Sequence, residues 1–202
     1  MKLNHLLLLT SLSISAYAAP QSFDFKDPKG VNNAVFKLDA PLESINGSAS
    51  GITGTVSFDP ENPAATTGKI VVASESLTVP NPMQKEHLHG ANWLEVAKYP
   101  EITFDAKSLA NVKTDGNTTT ADATGTFTLH GVSKDLTVPV KLTYLKDKLS
   151  ARVPNLKGDL LVVRANFTIN REDFNIQKGQ YEDKVSPTID LSLAIAGAAI
   201  AQ

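Results

Sequence analysis

The chain contains no cysteine. Thiol nucleophiles, thiolate metal sites and disulfide staples are thereby excluded, and stability has to come from packing and a closed hydrogen-bond network. An excess of one charge is also missing, because 19 Lys and Arg stand against 21 Asp and Glu, for a net charge of −2 and a pI near 6.1. A chain so balanced lacks the basic footprint of a nucleic-acid binder. No apolar run approaches the ~20 residues that a membrane-spanning helix needs. The one at 6–14 is broken by Thr10, Ser11 and Ser13. There is no Gly-x-Ser-x-Gly elbow, no glycine-rich phosphate loop and no His-Glu-x-x-His, so the common enzyme templates fail on residue supply.

The interrupted run at 6–14 follows Lys2 and precedes Ala16-Tyr17-Ala18, a small-residue cleavage pattern. This predicts a secretory signal peptide over 1–18 and a periplasmic or secreted product. Without a cysteine at the cleavage point no lipid anchor can be attached there, and no stable membrane insertion is expected. Residues 19–33 are polar and turn-rich and read as a lead-in segment. A barrel domain is expected over 34–196, and the small residues of 197–202 read as a flexible tail.

Within the domain the dominant pattern is strict alternation. At 121–129 Ala121, Ala123, Gly125, Phe127 and Leu129 alternate with polar residues. Residues 136–144 return with Leu136, Val138, Val140, Leu142 and Tyr144 on one face. Such strands are half-buried and antiparallel. Pro139 points to the other face and removes one ladder donor, which predicts a locally unpaired position. Between 45 and 58 the apolar phase switches from odd to even numbers near Ser50-Gly51, the mark of a bulge in one bent strand. About eight strands joined mainly by hairpins predict an all-β, eight-stranded antiparallel barrel or a two-sheet sandwich, and only the barrel removes the exposed edges. The helical exception is about 82–98. There Asn81, Pro82 and Gln84 give a cap signature, Asn92 and Glu95 repeat it, and Tyr99 before Pro100 ends it. Two short helices capping one barrel end are expected.

Polar candidates for chemistry are few. Glu86, His87 and His89 are close in sequence, but positions two apart on a helix point in different directions. A lid histidine bonded to strand backbone is the better expectation, with no metal and no catalytic residue assigned. His130 reads as a solvated turn residue, and Arg171, Glu172 and Asp173 with Asp183 as an ion-pair cluster on the rim. The interior face combines phenylalanines with Gly47, Ala49, Gly54, Ala106, Ala121, Ala123, Gly125 and Ala165. That mixture fits either a tapered packed core or an elongated apolar space.

An ordered set of short motifs runs through the chain. It includes Gly54-x-Val56-x-Phe58-Asp59, Ser76-Leu77-Thr78, and His87-Leu88 followed by residues 93–104, WLEVAKYPEITF. Residues 125–134, GTFTLHGVSK, then Ile169-x-Arg171-x-Asp173-Phe174-x-Ile176 and Val185-x-x-x-Ile189-x-Leu191 complete it. In this set the chain resembles the YceI family of lipid- or polyisoprenoid-binding, lipocalin-like barrel proteins. The resemblance implies an eight-stranded barrel with a helical cap and a pocket for a long isoprenoid chain, and it tips the interior toward a ligand. Ala40, Asn175 and Trp93 depart from the family pattern, which usually has histidine, glycine and phenylalanine there. The expected lining, chosen by alternation, is Phe36, Phe58, Leu88, Trp93, Phe104, Phe127, Leu129, Phe167 and Leu191. The expectation is therefore a non-enzymatic carrier without a cofactor, whose partner is an isoprenoid or other long-chain lipid. The alternatives are a ligand-free structural or interaction barrel, acting through a homodimer face, and an enzyme using His87 or His130 on a bound lipid.

Overall fold

Alternating sequence becomes antiparallel sheet. The computed structural model describes residues 20–201, so the expected signal peptide at 1–18 lies outside the described residues. It contains strands β1 Gln21–Asp24, β2 Asn33–Asp39, β3 Ser44–Ala49, β4 Ile52–Phe58, β5 Thr67–Ala73, β6 Glu101–Asp115, β7 Thr118–Leu129, β8 Val132–Leu145, β9 Gly158–Asn170 and β10 Thr188–Ile200. Helix α1 is Pro82–His89 and the single turn α2 is Leu149–Arg152. The strands form one sheet in the order β1-β4-β5-β6-β7-β8-β9-β10-β2-β3, and β10 also meets β1 through Asp24 and Ala198. That last pairing closes the ring. Along the wall β1 and β2 share one position, and β3 and β4 share another, so the closed barrel has eight strand positions.

The phase change at Ser50-Gly51 is the bend between β3 and β4. Ile52 N donates to Ser50 O at 2.9 Å, and Gly51 O accepts from Ala73 N at 2.8 Å. Pro139 also acts as its chemistry requires. The β8–β9 ladder begins at Val140 opposite Ala165 and runs to Leu145 opposite Leu160, leaving Pro139 and the upper part of β8 unpaired on that side. Phe174, 1% exposed, and Ile176, 3% exposed, sit in the upper core cluster and come from the turn that follows β9.

Two terminal expectations are corrected. The segment 19–33 is no lead-in, because β1 lies within it and Phe23 and Phe25 are completely buried. The Asp27-Pro28 turn hides their alternation by looping 26–32 out between β1 and β2. The tail is also structured, since 197–200 pair with β9 from Leu161 down to Gly158. Small residues are required there: the Phe25 ring covers Gly197 so closely that a Cβ would lie 2.6 Å from it.

The looped-out segment is tied down by a buried polar cluster. Asn32 Oδ1 accepts from Ala196 N at 2.9 Å while its Nδ2 donates to Ala196 O at 3.1 Å and to Phe25 O at 3.0 Å. The side-chain amide thus supplies to β10 the bonds a neighbouring backbone would make, which buried backbone groups need. Asp27 accepts from the amides of Lys29, Val31 and Asn32, and Arg152 of α2 donates to both Asp27 Oδ2 and Asn32 Oδ1, at 2.9 and 3.0 Å.

The helical unit is shorter than expected. Asn81 caps α1 by accepting from Met83 N and Gln84 N, but the second helix at 92–98 does not form. Gly90 O takes the amides of both Trp93 and Glu95, and Glu95 adopts φ +45°, so the chain folds into turns that bury Leu94. Tertiary burial overrides the local cap signal.

Burial pushes the Asp27 carboxyl up, but three backbone donors and Arg152 outweigh it and hold its pKa below the ordinary 3.8. A depressed carboxylate contributes stability that is present above its unfolded pKa and lost as pH falls through the folded one. Asp27→Asn should therefore cost about 2–3 kcal/mol at pH 7, the worth of hydrogen bonds to a charged group. Urea unfolding at pH 7 and pH 2.5 checks this: the difference between variant and parent should shrink at the lower pH.

Candidate functional site

The barrel interior is apolar at two levels. At the lower end Phe23, Phe58 and Tyr144 pack with ring centroids 6.0–6.4 Å apart. Tyr144 Oη donates to Asp159 Oδ2 at 2.6 Å, and Asp159 Oδ1 accepts from Asp147 N at 2.7 Å. Burial and then this bond raise the Tyr144 pKa well above its usual value. The hydroxyl stays protonated and the floor stays shut.

Above the floor lies a cavity of about 850 Å³. Val56, Leu109, Val163 and Ala165 form its lower wall, and Phe36, Phe104, Phe127, Phe167 and Leu191 its middle. Phe127 meets Phe167 edge to face at 6.2 Å and Phe174 at 5.5 Å, which fixes two of the wall rings. The mouth is bordered by Glu43, Gln84, His87, Leu88, Asn92, Trp93, Tyr181 and Lys184. Eight of the nine lining residues expected from sequence border this space: Phe36, Leu88, Trp93, Phe104, Phe127, Leu129, Phe167 and Leu191. Phe58 does not. It is 2% exposed and belongs to the floor, because β4 carries it one strand-end below the cavity. The small residues also divide. Ala49, Ala106, Ala123 and Ala165 line the cavity, but Gly47 makes no space, since the Phe36 ring lies where its Cβ would be, at 2.1 Å.

Arg171 organises one side of the mouth, and not as an ion pair. Its guanidinium is buried, 1% exposed for the residue, and all five N–H groups donate to backbone carbonyls. Nε reaches Ser186 O at 3.2 Å, Nη1 reaches Ile176 O at 2.8 Å and also Gln177 O, and Nη2 reaches Gln180 O and Val185 O at 2.6 and 3.2 Å. The loop 175–187 is thus wrapped around one side chain. Asn175 holds φ +59°, the left-handed conformation that asparagine tolerates. Tyr181, Val185 and Ile176 come to the cavity on this loop; Ile176 and Val185 stand in the motif set, but none of the three belongs to the expected lining. Their signal was single apolar residues in an otherwise polar stretch.

The histidines do not converge. His89 Nε2 lies 2.7 Å from Leu77 O, so a lid histidine does bond to backbone, although Leu77 follows the turn Ser74–Ser76 and is not in a strand; His87 borders the mouth. His130 is not a solvated turn residue: its ring packs against Tyr99 at 4.6 Å and its Nδ1 is 3.2 Å from Phe174 O. Nε2 is buried without a partner, 4.0 Å from Glu95 Oε2. Among the described residues no group of three or more His, Asp or Glu side chains is placed to hold a metal.

The YceI-like domain model matches residues 27–196. The chain belongs to the YceI family. It is 32% identical over 153 residues to the Escherichia coli protein YceI, covering 76% of this chain and 73% of that one. Among solved structures, Burkholderia cenocepacia BcnA superposes with a TM-score of 0.65 at 19% identity, over 82% of this chain and 94% of the other. A polyisoprenoid binding domain from Saccharophagus degradans, implicated in plant cell wall breakdown, superposes with a TM-score of 0.64 at 13% identity, over 89% and 99%. YceI membership fits the closed eight-stranded barrel, and the low identities to the solved structures speak to fold alone.

Arg171→Lys should loosen the mouth, because three donors on a point charge cannot replace a five-donor fork. Two stranded carbonyls at about 1–2 kcal/mol each predict a loss of about 2–4 kcal/mol. Hydrogen exchange should locate the effect as faster amide exchange confined to 175–187, with β6 and β7 protected as in the parent.

Proposed function

We propose that this protein is an exported carrier of a single-chain isoprenoid or similar amphipathic lipid, held tail-inward in the barrel. The size and apolar lining of the cavity carry this reading. An apolar void costs about 24 cal/mol per Å³, so 850 Å³ left empty would forfeit about 20 kcal/mol, more than the ~5–15 kcal/mol that holds a domain together. A space of that size is a binding site and not a packing flaw. A 150 Å³ apolar cavity takes one benzene, or ~25 Å³ per carbon, and the same filling gives a ligand of about thirty heavy atoms, head included. Burial of its tail supplies the affinity.

The mouth favours an uncharged head. Arg171 is the one arginine bordering the cavity, and its N–H groups are all committed to carbonyls. Glu43, Glu86 and Lys184 all border the cavity, two carboxylates to one ammonium, which is not the cationic cradle a phosphate needs. The relative described as a polyisoprenoid binding domain supports the tail chemistry. The leader-like residues 1–18 support export and a periplasmic location. The predominantly apolar lining supports binding, held by burial of an apolar chain, as the activity of this site.

Solvent extraction of the purified protein followed by mass spectrometry tests the reading. A stoichiometric lipid of roughly thirty heavy atoms with an uncharged head is expected, and an empty barrel that also ignores added polyprenols would refute it. Trp93→Ala should weaken polyprenol binding about tenfold, the usual loss for a buried aromatic anchor. Binding unchanged in that variant would make the 81–104 unit a plug with no part in recognition.

A further inference from the structure

We infer that the rim of the cavity mouth docks transiently on an uncharged or zwitterionic lipid surface, so that the ligand passes between membrane and barrel without crossing water. The inference rests on the lipid-carrier reading. Its own observation is the placement of exposed apolar side chains. Leu42, Met83 and Tyr181 are 68%, 66% and 54% exposed. Each belongs to a segment that borders the mouth: Leu42 precedes the lining residue Glu43, Met83 precedes Gln84, and Tyr181 lines the mouth itself. Their segments touch, since Leu42 N donates to Asp183 O at 2.9 Å and the Tyr181 ring lies 6.0 Å from Trp93. Exposed apolar groups collected around an apolar opening mark an interaction surface. Leucine, methionine and tyrosine are also side chains that enter a bilayer interface.

The ligand's chemistry demands such a contact. Each methylene exposed to water costs about 0.8 kcal/mol, so a tail of many carbons cannot leave the cavity through solvent on a useful timescale. The rim charge selects the kind of surface. On 39–43, 81–99 and 171–185 acidic residues outnumber lysines eight to four, and the one arginine there is buried. A rim of that sign is repelled by an anionic membrane and tolerated by a zwitterionic one. Helix α1 is anchored by Leu88 and His89 on its cavity side and carries Met83 on its exposed one.

Transfer kinetics test this. Protein loaded with a pyrene-labelled polyprenol is mixed with phosphatidylcholine vesicles carrying a quencher, and loss of fluorescence is followed. Docking predicts a rate that rises with vesicle concentration and falls at least about tenfold in L42S/M83S, since both side chains lose most of their insertion free energy. L156S/I200S, which alters exposed apolar residues at the opposite end of the barrel, should leave the rate unchanged. Replacing a third of the phosphatidylcholine with phosphatidylglycerol at low salt should slow transfer. A rate independent of vesicle concentration, equal slowing by both variant pairs, or faster transfer to the anionic vesicles overturns the proposal. If the probe fails to load, the carrier reading fails instead, and flotation of the unloaded protein and the same variants with phosphatidylcholine vesicles decides docking alone.

Discussion

Closure of the sheet between β1 and β10 is the constraint on which the cavity depends. An open sheet would expose two edges and let its apolar face collapse on itself or on another chain. The closed ring holds its strands apart by backbone bonds, so the wall does not collapse onto the space it encloses. β2 pairs with β10 over five positions, but the β1 half of the same wall position closes with little direct pairing: β1 meets β10 at Asp24 and Ala198, and the Asn32 amide, braced by Asp27 and Arg152, supplies further bonds to Ala196. This buried polar cluster is therefore part of what holds the wall closed around its apolar interior.

The distribution of large side chains then turns a barrel into a blind tube. Phe23, Phe58 and Tyr144 fill the lower end, and the bond from Tyr144 to Asp159 satisfies the only hydroxyl in that trio. Higher up, alanines at 49, 106, 123 and 165 share the wall with phenylalanines that stand against it. At the mouth the lid turns and the Arg171 loop are held by carbonyl-directed bonds, including that of the Gln177 amide to Asn92 O. Rigid wall, filled floor and polar-stitched mouth are three separate solutions to one requirement, an apolar space with one end accessible.

Much of this was legible in the sequence because a half-buried strand writes its inward face as every second residue. That is why β7 and β8, the bend at Ser50-Gly51, the broken ladder at Pro139 and most of the lining could be named. The failures have physical causes. Phe23 and Phe25 are hidden because a looped-out turn interrupts their alternation, and the last four residues of β10 because small residues look frayed until a ring is seen packed on Gly197. Phe58 alternates correctly, yet period says which face a side chain takes and not its height along the barrel axis. Arg171 beside two acids looked like an ion pair; only the fold brings five carbonyls around it.

The central claim is that the apolar space beneath the lid is a ligand site reached past Trp93, the single tryptophan of the chain. Titration of the intrinsic tryptophan fluorescence with a polyprenol brominated near its head tests it most directly. Saturable quenching at one ligand per chain, lost when an unbrominated polyprenol is added in excess, is the result predicted. Emission that neither shifts nor quenches across the titration would contradict the account.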